Sequence, residues 1–153
     1  MTIIPLGDVI FDIDGTLADL THRQHFVRGK PRNWKAFNKE ISKDLVHQDI
    51  VWLLKLIRST NTKIIICTAR TSDLREKTIE WLDNTAKIKG LYDRLYMREE
   101  EDPRDDSIIK MELLQQMRND GYNPIMVFDD RDRVVTAWRE AGIRCLQVAP
   151  GNF

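Results

Sequence analysis

Five short runs along the chain are rich in apolar residues: VIFDI (9–13), KIIIC (63–67), DRLYM (93–97), IMVFD (125–129) and IRCLQV (143–148). Most are continuous rather than alternating, as strands covered on both faces must be. Between them apolar positions recur at helical spacing: Ile50, Leu53, Leu54 and Ile57; Leu74, Ile79 and Leu82; Ile109, Leu113 and Met117; Val134, Val135, Trp138 and Ala141. That period predicts helices with one buried face. Strand and helix alternate, so the pattern predicts an α/β fold, a doubly wound five-stranded parallel sheet with helices on both faces.

Residues 19–45 break the alternation. The stretch DLTHRQHFVRGKPRNWKAFNKEISK carries seven Lys or Arg (Arg23, Arg28, Lys30, Arg32, Lys35, Lys39, Lys43) against Asp19 and Glu40, with Phe26, Trp34 and Phe37 interleaved. It reads as a small helical or loop insertion after strand 1, a minimal cap. Two roles stay open for it. One is a solvated segment whose Trp34 and Phe37 pack on the core. The other is a partial lid whose cations meet a nucleic-acid backbone and whose aromatics stack on a base.

At 153 residues and 42% hydrophobic the chain suits one core, so a single domain over 1–153 is expected. The net charge is zero, which leaves any nucleic-acid contact to a local patch. Cys67 and Cys145 fall inside strand-like runs, where reduced core thiols are expected, in keeping with a cytoplasmic location. Neither a secretory core near Met1 nor an apolar run of membrane-spanning length is present, so export and membrane insertion are not expected. The absence of a GxxxxGK[ST] loop argues against an NTP site. His22, His25 and His47 have no partner at metal-ligand spacing and read as surface residues. The acidic run REEEDPRDD (98–106) reads as a solvated loop.

Ligands of open α/β sheets bind beyond the carboxyl ends of the strands, so the residues there are the candidates for chemistry. Strand 1 ends in Asp12 and Asp14. The second run leads into Thr68, Ala69 and Arg70, and the fourth ends in Asp129 and Asp130, with Asp132 beyond. Lys110 lies one turn inside the helix that begins near Asp106. Taken singly these residues could be turn formers and helix caps. Together they put four carboxylates on one rim, which costs stability unless a cation sits among them. Hard oxygen ligands without a Cys or His cluster point to Mg²⁺. A pocket with Mg²⁺, a lysine, a hydroxyl and arginines suits a phosphoryl group. One aspartate can serve as nucleophile, forming an aspartyl-phosphate, and a second can move the proton.

At these residues the chain resembles the haloacid dehalogenase superfamily of phosphatases: FDIDGT matches its DxDGT signature, Thr68 its second motif, Lys110 its third and FDD its acidic fourth. FDIDGTLA with Arg23 downstream, the TAR triplet, EDPRDDSIIK and DDRDRVVTAWREAGIRCLQVAPGNF narrow the resemblance to the 3'-phosphatase domain of bacteriophage-type polynucleotide kinase/phosphatase, without its kinase half. The resemblance implies a stand-alone Mg²⁺-dependent phosphatase that acts on nucleic acid 3'-phosphate ends, of DNA or RNA. It makes Asp12 the nucleophile and Asp14 the acid/base, with the Asp14 backbone carbonyl also on the metal. Asp129 and Asp130 would hold Mg²⁺ directly or through water. Thr68 and Lys110 would bind phosphate oxygens, and Arg23 and Arg70 match arginines used at the family's site. Asp106 matches an acidic residue that would orient Lys110 or cap its helix. The insertion departs from the family pattern, which bears on substrate preference more than on chemistry.

Three other functions are compatible with parts of the pattern. A small-molecule phosphatase or nucleotidase would use the same catalytic set. A signalling receiver domain is also doubly wound with Asp, Thr, Lys and Mg²⁺, but receivers carry the phospho-acceptor Asp after strand three, where this chain has Tyr96 and Met97. A nucleic-acid end binder without catalysis would not need every catalytic position filled, as it is here.

Overall fold

A computed structural model describes residues 1–153. Chain order is β1 (Asp8–Phe11), β2 (Ala18–Asp19), α1 (His25–Arg28), α2 (Trp34–Lys39), β3 (Leu45–Val46), α3 (Gln48–Arg58), β4 (Ile64–Thr71), α4 (Arg75–Glu80), β5 (Arg94–Arg98), α5 (Asp106–Asn119), β6 (Pro124–Asp129), α6 (Asp132–Glu140) and β7 (Arg144–Gln147). The five expected strands form one parallel sheet in the order β5-β4-β1-β6-β7. Strand order reverses at β1, which pairs with β4 on one side and β6 on the other, so the carboxyl ends of these three strands lie side by side.

The pleat explains why the strand sequences are continuously apolar. Val9, Phe11, Ile64, Ile66 and Phe128 face Val51 and Leu54 of α3, with Trp81, Leu82 and Ile88. Ile10, Ile65, Cys67 and Val127 face Ile109, Leu113 and Met117 of α5 and Val134, Val135 and Trp138 of α6. Alternate residues of one strand thus fill two different cores. Phe11 and Phe128, opposite each other in the β1–β6 register, stack with ring centroids 4.7 Å apart. No helix is long and apolar enough to cross a membrane.

Three local features differ from the pattern expected. β4 runs on to Thr71, with a register shift against β5 between Thr68 and Thr71, so Thr68 and Arg70 are strand residues and not loop residues. The helix expected across Leu74, Ile79 and Leu82 is short: α4 ends at Glu80 and widens into a π turn over Trp81–Thr85. The insertion is bracketed by an antiparallel ribbon, β2 with β3, in which Ala18 opposes Val46 and Asp19 opposes Leu45. Between the ribbon strands lie α1, α2 and two 3-10 turns.

Because Phe11 is fully buried and carries the stacking contact, Phe11→Ala is expected to cost about 3–5 kcal/mol of stability. A urea denaturation midpoint measures this, and a midpoint close to that of the wild type would contradict the packing described.

Candidate active site

β1 delivers its carboxylates through a tight loop. The Ile13 carbonyl accepts from the N–H groups of Thr16, Leu17 and Ala18 at 3.0, 2.9 and 2.9 Å. Gly15 takes φ +83, a left-handed backbone, and a Cβ there would overlap the Asp130 carboxylate. Glycine is therefore required on both counts. The Asp12 N–H donates to the Phe128 carbonyl at 3.0 Å, which ties the end of β1 to β6.

The buried Lys110 sits at the centre of the site. Its Nζ donates to Asp12 Oδ1 at 2.8 Å, to the Cys67 carbonyl at 2.7 Å and to Asp129 Oδ2 at 3.3 Å. Thr16 Oγ1 donates to Asp12 Oδ2 at 3.3 Å. Asp129 also accepts from Trp138 Nε1 at 3.2 Å and from the Asp130 N–H at 2.9 Å. Carboxylate oxygens of Asp12, Asp129 and Asp130 lie within 4.8 Å of one another, and all three residues are buried. Burial, and then the charge of Asp129, push the Asp12 carboxyl well above the usual carboxylate range and Asp130 up to about 7. Burial opposes the Lys110 ammonium, but Asp12 and Asp129 more than offset it and raise its pKa. Three carboxylates around one ammonium leave a deficit of positive charge, which a divalent cation with a preference for oxygen would fill.

Asp14 stands apart from this group, with its side chain 28% exposed. Arg70 grips it from Nε at 3.1 and 3.2 Å and from Nη2 at 2.6 Å, and Arg23 Nη2 donates to it at 2.9 Å. Burial alone would raise the Asp14 carboxyl, but Arg70 and then Arg23 overcome it and hold it down at about 2. Asp14 is thus ionised at neutral pH, able to accept a proton. The Thr68 hydroxyl, also buried, accepts from the Arg70 N–H at 3.2 Å.

Both arginines are anchored by Asp44, a residue that gives no signal in the sequence because it sits beside lysines in the basic insertion and matches no motif. Asp44 is 1% exposed. It accepts from Arg23 Nε at 2.6 Å, Arg23 Nη2 at 2.7 Å, Arg70 Nη2 at 3.1 Å and His22 Nε2 at 2.8 Å. Its carbonyl accepts from Trp81 Nε1 at 2.9 Å, where the π turn begins. His22 is a surface residue, as expected, with its side chain 35% exposed, and its ring nitrogen meets Asp44.

Two expectations need correction. Asp106 neither contacts Lys110 nor caps α5. Asp105 is the cap, accepting from the Ser107 N–H at 2.9 Å, whereas Asp106 pairs with Arg98 and Arg131. The run 98–106 is also more than a solvated loop: Arg98 is nearly buried and donates to the carbonyls of Ala69, Asp102 and Arg104 at 3.1, 2.8 and 2.7 Å. Arg98 was hidden by the acidic residues around it. A single arginine inside such a run is most economically read as surface charge.

The family model for the polynucleotide kinase PNKP phosphatase domain matches residues 7–153. The chain belongs to that family. This phosphatase is a phosphomonoesterase of the haloacid dehalogenase class. It is 34% identical, with a TM-score of 0.76, to a chain in a structure of the Pnkp1/Rnl/Hen1 complex, covering 95% of its own length and 47% of that chain. A second structure, titled as the Pnkp1/Rnl/Hen1 RNA repair complex, gives the same identity and score over 43% of its chain. A protein of Autographa californica nuclear polyhedrosis virus, provisionally named a bifunctional polynucleotide kinase/RNA ligase, is 29% identical over 146 residues, 92% of this chain and 20% of the viral one. The phosphatase therefore spans about half or less of the chains of these relatives. A haloacid dehalogenase-like hydrolase of Streptococcus pneumoniae, at 19% identity and a TM-score of 0.65 over 92% of this chain and 83% of its own, shares the fold.

Truncating Asp44 would leave Arg23 and Arg70 buried with too little negative charge. Asp44→Ala is expected to cost about 3–5 kcal/mol and to release Asp14 from its fixed orientation. Denaturation and phosphate release measured on the same preparation check this; full activity at an unchanged midpoint would contradict it.

Proposed function

We propose that this phosphatase is a Mg²⁺-dependent polynucleotide 3'-phosphatase, which hydrolyses 3'-phosphomonoesters at DNA or RNA ends through an aspartyl-phosphate on Asp12. The observation that carries the reading is the buried trio Asp12, Asp129 and Asp130 around Lys110, at the rim where β1, β4 and β6 end. Membership of a polynucleotide kinase phosphatase family, and likeness to a chain of an RNA repair complex, support a nucleic-acid end as substrate. Both apolar clusters share one sheet, which supports reading 1–153 as a single domain. The two buried unpaired thiols, raised by burial to about 12, support a reducing compartment, the cytoplasm.

The donor set fits Mg²⁺: clustered carboxylates, hard oxygens, and a local excess of negative charge. Asp12, Asp129 and Asp130, with the Asp14 backbone carbonyl, would hold the ion. When bound it supplies positive charge to the phosphoryl oxygens and to the carboxylates crowded around them.

In the first half-reaction an Asp12 carboxylate oxygen bonds to phosphorus as the bond from phosphorus to the 3'-oxygen breaks. A proton from Asp14 goes to that leaving oxygen, generating the 3'-hydroxyl. Asp14 is ionised in the free protein, but a phosphate settling beside it adds negative charge and raises its proton affinity. In the second half water attacks the aspartyl-phosphate, Asp14 takes the water's proton, and inorganic phosphate leaves with Asp12 restored. Lys110 and Thr68 bind the phosphoryl oxygens throughout. Arg23 and Arg70 keep the Asp14 carboxylate turned toward the substrate, and both lie close enough to the site to bear on its phosphate.

Phosphate release from matched oligonucleotides bearing a 3'- or a 5'-phosphate, and from a nucleoside 3'-monophosphate, with Mg²⁺ and with chelator, tests the proposal. Release from the 3'-phosphorylated oligonucleotide that stops with chelator is expected. Equal release from all three, or release from the mononucleotide alone, would instead favour a small-molecule phosphatase. Asp12→Asn should abolish turnover in a folded protein, and full activity would refute the covalent step.

Protonated Asp12 and Asp130 compete with the metal. With Asp130 raised to about 7, Mg²⁺ binding is expected to release protons and to strengthen as pH rises from about 6 to about 8, and the raised Asp12 carboxyl acts in the same direction. Calorimetry in two buffers of different ionisation enthalpy reads both effects, and a pH-independent affinity with no proton release would contradict them.

A further inference from the structure

The catalytic reading leaves the insertion unexplained. Residues 25–39 contain five Lys or Arg, namely Arg28, Lys30, Arg32, Lys35 and Lys39, and no Asp or Glu. All five are exposed and none pairs with a carboxylate; the nearby Lys43 does, with Glu40 at 2.6 Å. The arginines elsewhere around the site behave differently: Arg98, Arg104, Arg131 and Arg133 all hold acidic partners. In a chain of zero net charge, this is a local excess of positive charge that the protein's own carboxylates do not neutralise.

The aromatics of the segment divide the two roles left open by the sequence. Phe37 is buried and packs beneath the Arg23 guanidinium, whose Cζ lies 4.0 Å from the ring centroid. Trp34 is 51% exposed. It stands edge-on to Phe37, with ring centroids 5.6 Å apart, in the first turn of α2, where the Asn33 side chain accepts from the Ala36 N–H at 3.0 Å. Trp34 is thus held at a capped helix end and joined to the site by direct contacts: Trp34 on Phe37, Phe37 on Arg23, and Arg23 Nη2 on Asp14 at 2.9 Å. A rigid, half-exposed indole among unpaired cations, a few side chains from the reacting phosphate, has the chemistry of a stacking platform for single-stranded nucleic acid. An acidic polypeptide would use the cations but would have no need of the indole face.

We infer that the α1–α2 cap is the strand-binding subsite of this phosphatase, in which Trp34 stacks on a base upstream of the 3' end while the five cations follow the phosphodiesters. The inference rests on the polynucleotide reading above and specifies the part of the surface that recognises the polymer.

Binding and turnover test it separately. Fluorescence anisotropy of a 5'-labelled single-stranded oligonucleotide ending in a 3'-hydroxyl reads affinity without hydrolysis. Trp34→Ala is expected to weaken binding about tenfold. The triple variant Arg28→Gln, Lys30→Gln, Arg32→Gln is expected to flatten the slope of log affinity against log salt by about 2. In turnover, the ratio of kcat/KM for a 3'-phosphorylated oligonucleotide to that for a nucleoside 3'-monophosphate should fall about tenfold in either variant. Unchanged affinity and slope would overturn the inference. So would an equal loss on both substrates, which marks a structural role, or polyglutamate competing as well as the oligonucleotide with Trp34→Ala silent. Oligonucleotide binding by the wild type without phosphate release would overturn the activity proposed above and leave the subsite standing; release that no cap substitution affects would do the reverse.

Discussion

Everything at the rim depends on the buried ammonium of Lys110. A charge with 2% exposure is tolerated only where its hydrogens are taken up, and here the acceptors are Asp12, the Cys67 carbonyl and Asp129. These belong to the end of β1, the middle of β4 and the end of β6, the three adjacent strands at the point where strand order reverses. One side chain from α5 therefore cross-links the three central strands at the proposed active site. The arrangement works only in this register, because slipping a strand by one residue would turn its carboxylate into one of the two apolar cores. The same contacts that satisfy the lysine crowd the carboxylates, and the crowding makes the site hungry for a cation.

A second layer is built around another buried charge, Asp44. It holds Arg23, Arg70 and His22, and through the two arginines it fixes Asp14. Arg23 comes from the insertion and Arg70 from the end of β4, so the insertion is tied to the sheet by ion pairs through Asp44 and Asp14. A third set, Arg98 and Arg131 on Asp106, fastens the end of β5 and the start of α6 to the start of α5. Of these layers the first gathers Asp12, Asp129 and Lys110, the second orients Asp14, and the third keeps the loops beside them in place. Their stabilities are linked, since removing any central carboxylate strands a buried guanidinium or ammonium.

The cap follows from the same logic at its outer edge. Its inner aromatic, Phe37, is used for packing under Arg23, while its outer aromatic, Trp34, is half exposed and its five cations meet no carboxylate of the chain. A run of five cations with no acidic residue among them, beside an exposed indole, is the feature on which the proposed strand-binding subsite rests.

The five strands and the alternation were legible in the sequence, because a strand buried on both faces must be apolar without interruption. The carboxylates at the ends of β1 and β6 stood out for the same reason, as charges where the pattern demands burial. Lys110 and Thr68 could be read from their order along the chain relative to the strands. Asp44 and Arg98 could not, since each lies in a polar stretch where a surface position is the simplest reading, and only the packing of residues distant in sequence buries them. The role of Asp106 likewise depended on which cations the fold brought to it. Periodicity and motif order are local properties, and they determined the strands, the sheet and the candidate reacting groups. The partners of buried charges are set by long-range proximity, so the networks that orient Asp14 and anchor the cap were decided by the tertiary structure alone.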